Sequence, residues 1–150
     1  ARGRGGIRAV SPGAMDAAVI RRHLIALDGA VQTLRRHAGR PVEALEEAEE
    51  RWIVERGLQL CAQNALDLAT HLAATAGRDA ADYASAIDEL ARLGVVPTDF
   101  AKRFRAIAGF RNVLVHGYLA VDVQRLHDVL NHRLDDFVEF AAHVDAWLRR

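Results

Sequence analysis

Cysteine is nearly missing: Cys61 is the only one in 150 residues. One thiol excludes an internal disulfide framework and any Cys-rich zinc site, and it suits a reducing cytoplasm better than secretion. Long apolar runs are missing too. No stretch of about 18 apolar residues is free of charge, so no membrane span is predicted. Neither sign of charge is in excess, because Lys+Arg 20 balance Asp+Glu 20. That removes the bulk-basic signature of a non-specific nucleic-acid coat and requires any anion site to be local. No Asn-Gly hairpin and no sustained period-two run occurs, which argues against a sheet. What is present is 51% hydrophobic and 27% charged. Such a chain buries one core and is too short for two, so a single soluble, cytoplasmic domain is expected.

Residues 1–14 form a lead in which Arg2, Arg4 and Arg8 alternate with Gly3, Gly5 and Gly6 before Ser11-Pro12-Gly13. It has no apolar period and is expected to be disordered, either an upstream extension or a remnant outside the fold. From residue 15 onward the apolar positions keep helical spacing. Ile20, Leu24, Leu27, Val31, Leu34 and Ala38 predict a first helix from Met15 to Ala38, ended by Gly39-Arg40-Pro41. A second runs from Val42 to Ala76 on Val54, Leu58, Cys61, Ala65, Leu68 and Leu72. Ala62, Leu66, Ala69 and Ala73 widen its stripe, so it should be buried against more than one neighbour. A third covers Asp79 to Leu93 and closes at Gly94-Val95-Val96-Pro97. Thr98 is a candidate N-cap for a fourth, which carries Phe100, Phe104, Ile107, Arg111, Leu114 and Tyr118 inward. A fifth, from Val121 to Leu148, turns Leu126, Leu130, Leu134, Phe137, Ala141, Val144 and Leu148 to the core. The expected fold is an all-α, up-and-down bundle of four to five helices over residues 15–150.

Charge is unevenly spread. Residues 41–100 carry 4 basic and 12 acidic side chains, whereas 101–118 hold Lys102, Arg103, Arg105 and Arg111 with no acid at all. This is the local positive patch that could bind an anionic substrate. Arg111 stands out because it takes a seam position between Ile107 and Leu114. A guanidinium desolvated there without a partner costs several kcal/mol, so it must meet an acid such as Asp67, a bound anion or an open cleft. Five residues on comes His116, and a histidine can give or take a proton near neutral pH. Asn112, one helical turn before it, is placed to orient the ring. His23, His37, His71, His127, His132 and His143 form no H-E-x-x-H pair and are read as surface or satisfied core residues. No metal site and no cofactor is expected.

The segment Arg111-Asn112-Val113-Leu114-Val115-His116-Gly117-Tyr118 is an R-x-x-x-x-H motif followed by x-Tyr. It resembles the signature of the HEPN ribonuclease superfamily in its HepT toxin form. The resemblance extends to the stretch Glu55–Leu72, which is similar to the long second helix of that family, and to Phe104–Tyr118, similar to its motif helix. It covers most of Met15 to Arg150. The resemblance implies a metal-independent endoribonuclease toxin, held in check by a small nucleotidyltransferase antitoxin of the MntA type. It further implies that Arg111 and His116 are catalytic, that Tyr118 receives AMP from the partner, and that the chain works as a homodimer. RNA carries its own nucleophile in the 2′-hydroxyl, so the protein need supply only acid-base help and a cation for the pentavalent phosphate. His116 suits the first role and Arg111 the second. An AMP group on Tyr118 would add bulk and negative charge two residues from His116.

Spacing raises one difficulty. On an ideal helix five residues place Arg111 and His116 about 140° apart, off a common face. Either the helix distorts before Gly117, or a second copy completes the site across a two-fold axis, which is the favoured expectation. A different class of function also fits the residues: a non-catalytic helical module whose Arg111 and Arg103 bind a nucleotide or a nucleotidyltransferase partner without turnover.

Overall fold

The computed structural model describes residues 12–117 and 121–150, with side chains from residue 17 onward. Residues 1–11, most of the expected lead, lie outside the described residues, as does Tyr118. The described residues are all helical apart from turns: α1 (Pro12–Arg35), a 3-10 turn (Val42–Glu46), α2 (Ala48–Thr75), α3 (Tyr83–Arg92), α4 (Thr98–Phe104), α5 (Ile107–His116), α6 (Val123–His132) and α7 (Leu134–Leu148). None of these helices is long and apolar enough to cross a membrane.

The two long helices stand where the spacing predicts them, and the breaks fall elsewhere. Helix α1 already begins at Pro12, and it ends at Arg35 because the amides of His37 and Ala38 bond three residues back, tightening the last turn. The second predicted helix starts with the separate 3-10 turn, and Glu47 then caps α2 by accepting from the amides of Glu49 and Glu50. The third starts at Tyr83 instead of Asp79, because Asp82 is extended and its side chain accepts from Ser85 N at 2.8 Å. Thr98 is not an N-cap. It is the first helical residue, preceded by extended Pro97, and no side chain caps that end. The predicted fourth helix is two, α4 and α5, joined at Arg105 and Ala106 by a tight turn in which Ala108 N bonds Arg105 O at 3.2 Å. The predicted fifth is also two, broken at Arg133 with φ −121° and ψ −3°.

Helix α2 is the hub. It packs against α1, α3, α5, α6 and α7, and Val54, Leu58, Cys61, Ala62, Ala65, Leu66, Leu68, Ala69 and Leu72 on it are essentially inaccessible. Alanine and glycine let neighbours approach it closely. At the opposite wall Phe100, Phe104, Phe137 and Phe140 interlock, with Phe104 stacked on Phe100 and Phe140 at 4.9 Å and edge-on to Phe137 at 5.7 Å. The turn at Arg105–Ala106 separates these two packings: Phe104 stays in the aromatic cluster while α5 turns to lie on α2. That turn sets the helix carrying the motif against Gln63 and Asp67.

Candidate active site

Helix α5 buries Ala108 and Phe110 and half-buries Ile107 and Leu114, so Arg111 sits on its inward arc as expected. The guanidinium is half-buried and does not meet a carboxylate. Its Nε donates to Gln63 Oε1 at 2.9 Å and its Nη1 to Asn112 Oδ1 at 3.1 Å. Its guanidinium carbon lies over the Tyr83 ring, 5.2 Å from the ring centroid. Gln63 Nε2 donates to Asp67 Oδ1 at 2.8 Å and to the Tyr83 hydroxyl oxygen at 3.0 Å, and that hydroxyl donates to Asp67 Oδ1 at 3.1 Å. Asp67, the expected ion-pair partner, is therefore one amide removed from Arg111.

Two of the five N–H groups of Arg111 are used in these bonds. The residue borders an open cleft of about 620 Å³ lined by Thr70, Ala80, Tyr83, Ala108 and Asn112 and by one carboxylate, Asp82, which accepts from the Ser85 amide. Small side chains make up most of its wall, so a chain with bulky bases can come close to the guanidinium. A smaller cleft of about 220 Å³ at the other side of α5 is lined by Arg103, Arg125 and Arg133 and by Asp128 and Asp136, and there Arg103 and Arg133 are both already paired with Asp136.

His116 ends α5, is exposed, and makes no hydrogen bond with another described residue. Helix α5 is continuous from Ile107 to His116, so the distortion that would bring Arg111 and His116 together within one chain is not there. They face different directions about the same axis. Asn112 does not orient the imidazole: its Oδ1 turns to Arg111, the adjacent strong donor. Gly117 caps the helix by donating to Val113 O at 2.7 Å.

The acid-free stretch of sequence is not an unpaired patch in space. Arg103 pairs with Asp136 at 3.3 Å and Glu139 at 3.1 Å, both on α7, and Arg105 makes a two-pronged pair with Asp88 on α3 at 3.0 and 3.1 Å. That hydrogen-bonded carboxylate holds the Arg105 guanidinium still more firmly charged. Lys102 is exposed and has no ion pair with another described residue. None of the three lines the Arg111 cleft. Sequence reasoning missed Gln63 and Tyr83. The one signal for Gln63 was its spacing of four from Asp67, a polar pair one turn apart on α2, and nothing in the sequence pointed to Tyr83. Four other histidines are satisfied, His23 by Asn64, His37 by Glu50, His127 by Arg40 O and His143 by Glu139. Among the described residues no group of three or more His, Cys, Asp or Glu could hold a metal ion.

A bundle with an R-x-x-x-x-H helix lying on a long central helix has the fold of the HEPN toxins. A tri-AMPylated Shewanella oneidensis HEPN toxin, solved in complex with an MNT antitoxin, superposes with a TM-score of 0.77 at 19% identity, covering 85% of this chain and 97% of that one. The cytosolic protein YutE of Bacillus subtilis, of unknown function, superposes with a TM-score of 0.78 at 17% identity over 89% of this chain and 91% of that one. The family model described as Ribonuclease HepT-like matches residues 27–144, and the chain belongs to that family. The tRNA nuclease HepT of Aphanizomenon flos-aquae (strain 2012/KM1/D3) is 26% identical over 106 residues, which is 69% of this chain and 71% of that protein.

Proposed function

We propose that this chain is the ribonuclease toxin of a toxin-antitoxin pair, acting on tRNA without a metal. One observation carries the reading: Arg111 is half-buried at a cleft yet held by a neutral amide, with N–H groups left over for an anion. Family membership and the tRNA nuclease relative support the substrate class. In the reaction the RNA 2′-oxygen attacks phosphorus and the P–O5′ bond breaks, leaving a 2′,3′-cyclic phosphate and a 5′-hydroxyl. One proton leaves the 2′-hydroxyl and one reaches the 5′-oxygen. His116 serves that proton traffic and Arg111 stabilises the charge on the equatorial oxygens.

Because α5 points Arg111 and His116 apart, the working site is assigned to a homodimer in which His116 of one copy serves the Arg111 cleft of the other. Tyr118, outside the described residues, is the proposed acceptor of AMP from an MntA-type nucleotidyltransferase. The AMPylated toxin bound to its antitoxin supports that control. Lys102 remains a proposed RNA contact, whereas Arg103 and Arg105 would have to exchange a carboxylate for a phosphate to serve as one.

The test is cleavage of total tRNA in the presence of EDTA. Wild-type protein is expected to cut, leaving cyclic phosphate ends. His116→Ala and Arg111→Lys are expected to lose about 10²-fold or more, the lysine because it lacks the planar fork. Intact tRNA that is bound but uncut by the wild type would instead select the non-catalytic module, which the separation of the two side chains on α5 favours.

A further inference from the structure

Gln63 enters the reading above only as the neutral amide beside Arg111, and that amide is itself held from behind. We infer that Gln63 is a positioning residue that holds Arg111 through a neutral acceptor, so that the guanidinium keeps its full charge for the scissile phosphate. This rests on the RNA-cleavage reading.

An arginine on an inward arc needs a partner, and a carboxylate at position 63 would supply one at the cost of neutralising it. The amide avoids that. Its orientation is dictated from behind: Asp67 Oδ1 accepts from Gln63 Nε2 at 2.8 Å, and a carboxylate has only lone pairs to offer, so the amide NH₂ must turn toward Asp67. The Tyr83 hydroxyl oxygen takes the second N–H at 3.0 Å and itself donates to Asp67 at 3.1 Å. Only Oε1 is then left for Arg111 Nε, at 2.9 Å. The bond to Nε, the bond from Nη1 to Asn112, and the Tyr83 ring facing the guanidinium carbon hold the guanidinium in position. The negative charge of Asp67 thus orients Arg111 at one remove without quenching it. Gln63 and Asp67 are one turn apart on α2, the most deeply buried helix, which makes the support rigid.

Two variants separate charge from position, with melting temperature followed for both. Gln63→Glu, made together with Asp67→Asn so that two carboxylates do not meet at 2.8 Å, puts a carboxylate directly on Arg111, and Gln63→Met keeps length while removing the acceptor. Binding of intact tRNA is measured in a His116→Ala background so that nothing is cut, and cleavage is measured with His116 in place. Gln63→Glu is expected to flatten the slope of log K against log salt by about 0.7 for each phosphate that Arg111 no longer neutralises, and to lower kcat/KM by about 10²-fold. Gln63→Met is expected to leave that slope alone and lower kcat, because the charge is kept and the aim is lost. A merely structural role would move the melting temperature and neither readout. An unchanged slope in folded Gln63→Glu, or an unchanged kcat in Gln63→Met, overturns the inference. If Gln63→Glu does not fold, the Gln63→Met result decides. Wild-type protein that cuts no tRNA refutes the nuclease reading, whereas an unaltered Gln63→Glu slope refutes this one.

Discussion

Gly117 donates its amide to the Val113 carbonyl at 2.7 Å, and a Cβ on Gly117 would stand 2.6 Å from that same oxygen. The clash is with backbone, which has no rotamer to swing away. Gly117→Ala should therefore push the last carbonyl of α5 outward and fray the turn that carries His116. Because the turn is terminal, the whole fold should lose about 1 kcal/mol or less by urea titration. tRNA cleavage should fall about tenfold or more, since a shift of about 1 Å in a proton-transfer group is costly. An alanine variant with full activity would show that this turn does not place the imidazole.

Gly57 on α2 faces Leu34 on α1, and a Cβ there would lie 2.5 Å from Leu34 Cδ2. Leu34 is fully buried and has little room to move. Two effects oppose each other. Alanine is the better helix former by about 1 kcal/mol, while overpacking a filled core costs about 1–3 kcal/mol. Overlap should win, so Gly57→Ala is expected to destabilise the wild type. In a Leu34→Ala background the overlap is gone, and the same change should stabilise. Equal effects in both backgrounds would refute the direct contact.

Glu50 is the buried charged side chain of the described core. Its carboxylate takes His37 Nδ1 at 2.9 Å and Arg40 Nη1 at 2.9 Å, tying the turn after α1 to the start of α2. Arg40 is half exposed, so solvent screens part of the attraction. Glu50→Ala should cost about 2 kcal/mol, chiefly from donors left without their acceptor. Chemical denaturation measures this, and a loss below about 0.5 kcal/mol would mean that water replaces the carboxylate freely.

Periodicity made the helices legible and their breaks illegible for one reason. A kink leaves the count of residues between apolar positions unchanged, so Leu126, Leu130, Leu134 and Phe137 read as one stripe although Arg133 separates α6 from α7. Phe104 and Ile107 read straight across the turn at Arg105 in the same way. The odd position of Arg111 was visible because a cation interrupts an apolar seam. Its partner was not, because Gln63 lies 48 residues away and an amide carries no charge to announce itself. Charge counting along the chain misled at Arg103 and Arg105 for the complementary reason: Asp136 and Asp88 come from other helices, and their pairing exists only in the folded bundle.

Cys61 supplies a prediction that depends on burial alone. The thiol is inaccessible on α2, and loss of hydration pushes its pKa from 9.0 up to about 12. Between those two values the folded chain holds a proton that the unfolded chain has released. Stability linked to this group is thus fully present below pH 9.0 and falls as pH rises toward about 12. Replacing Cys61 by Ala should flatten that alkaline decline while lowering stability at neutral pH through the small cavity left behind. The same burial makes modification of the native thiol wait for opening of the bundle. At about pH 8, near the ordinary thiol pKa, a thiol-reactive dye should label the wild type at a rate that tracks unfolding as urea is added. Labelling complete on mixing in the absence of urea would mean that α2 is not the sealed hub on which the position of Gln63, and through it Arg111, depends.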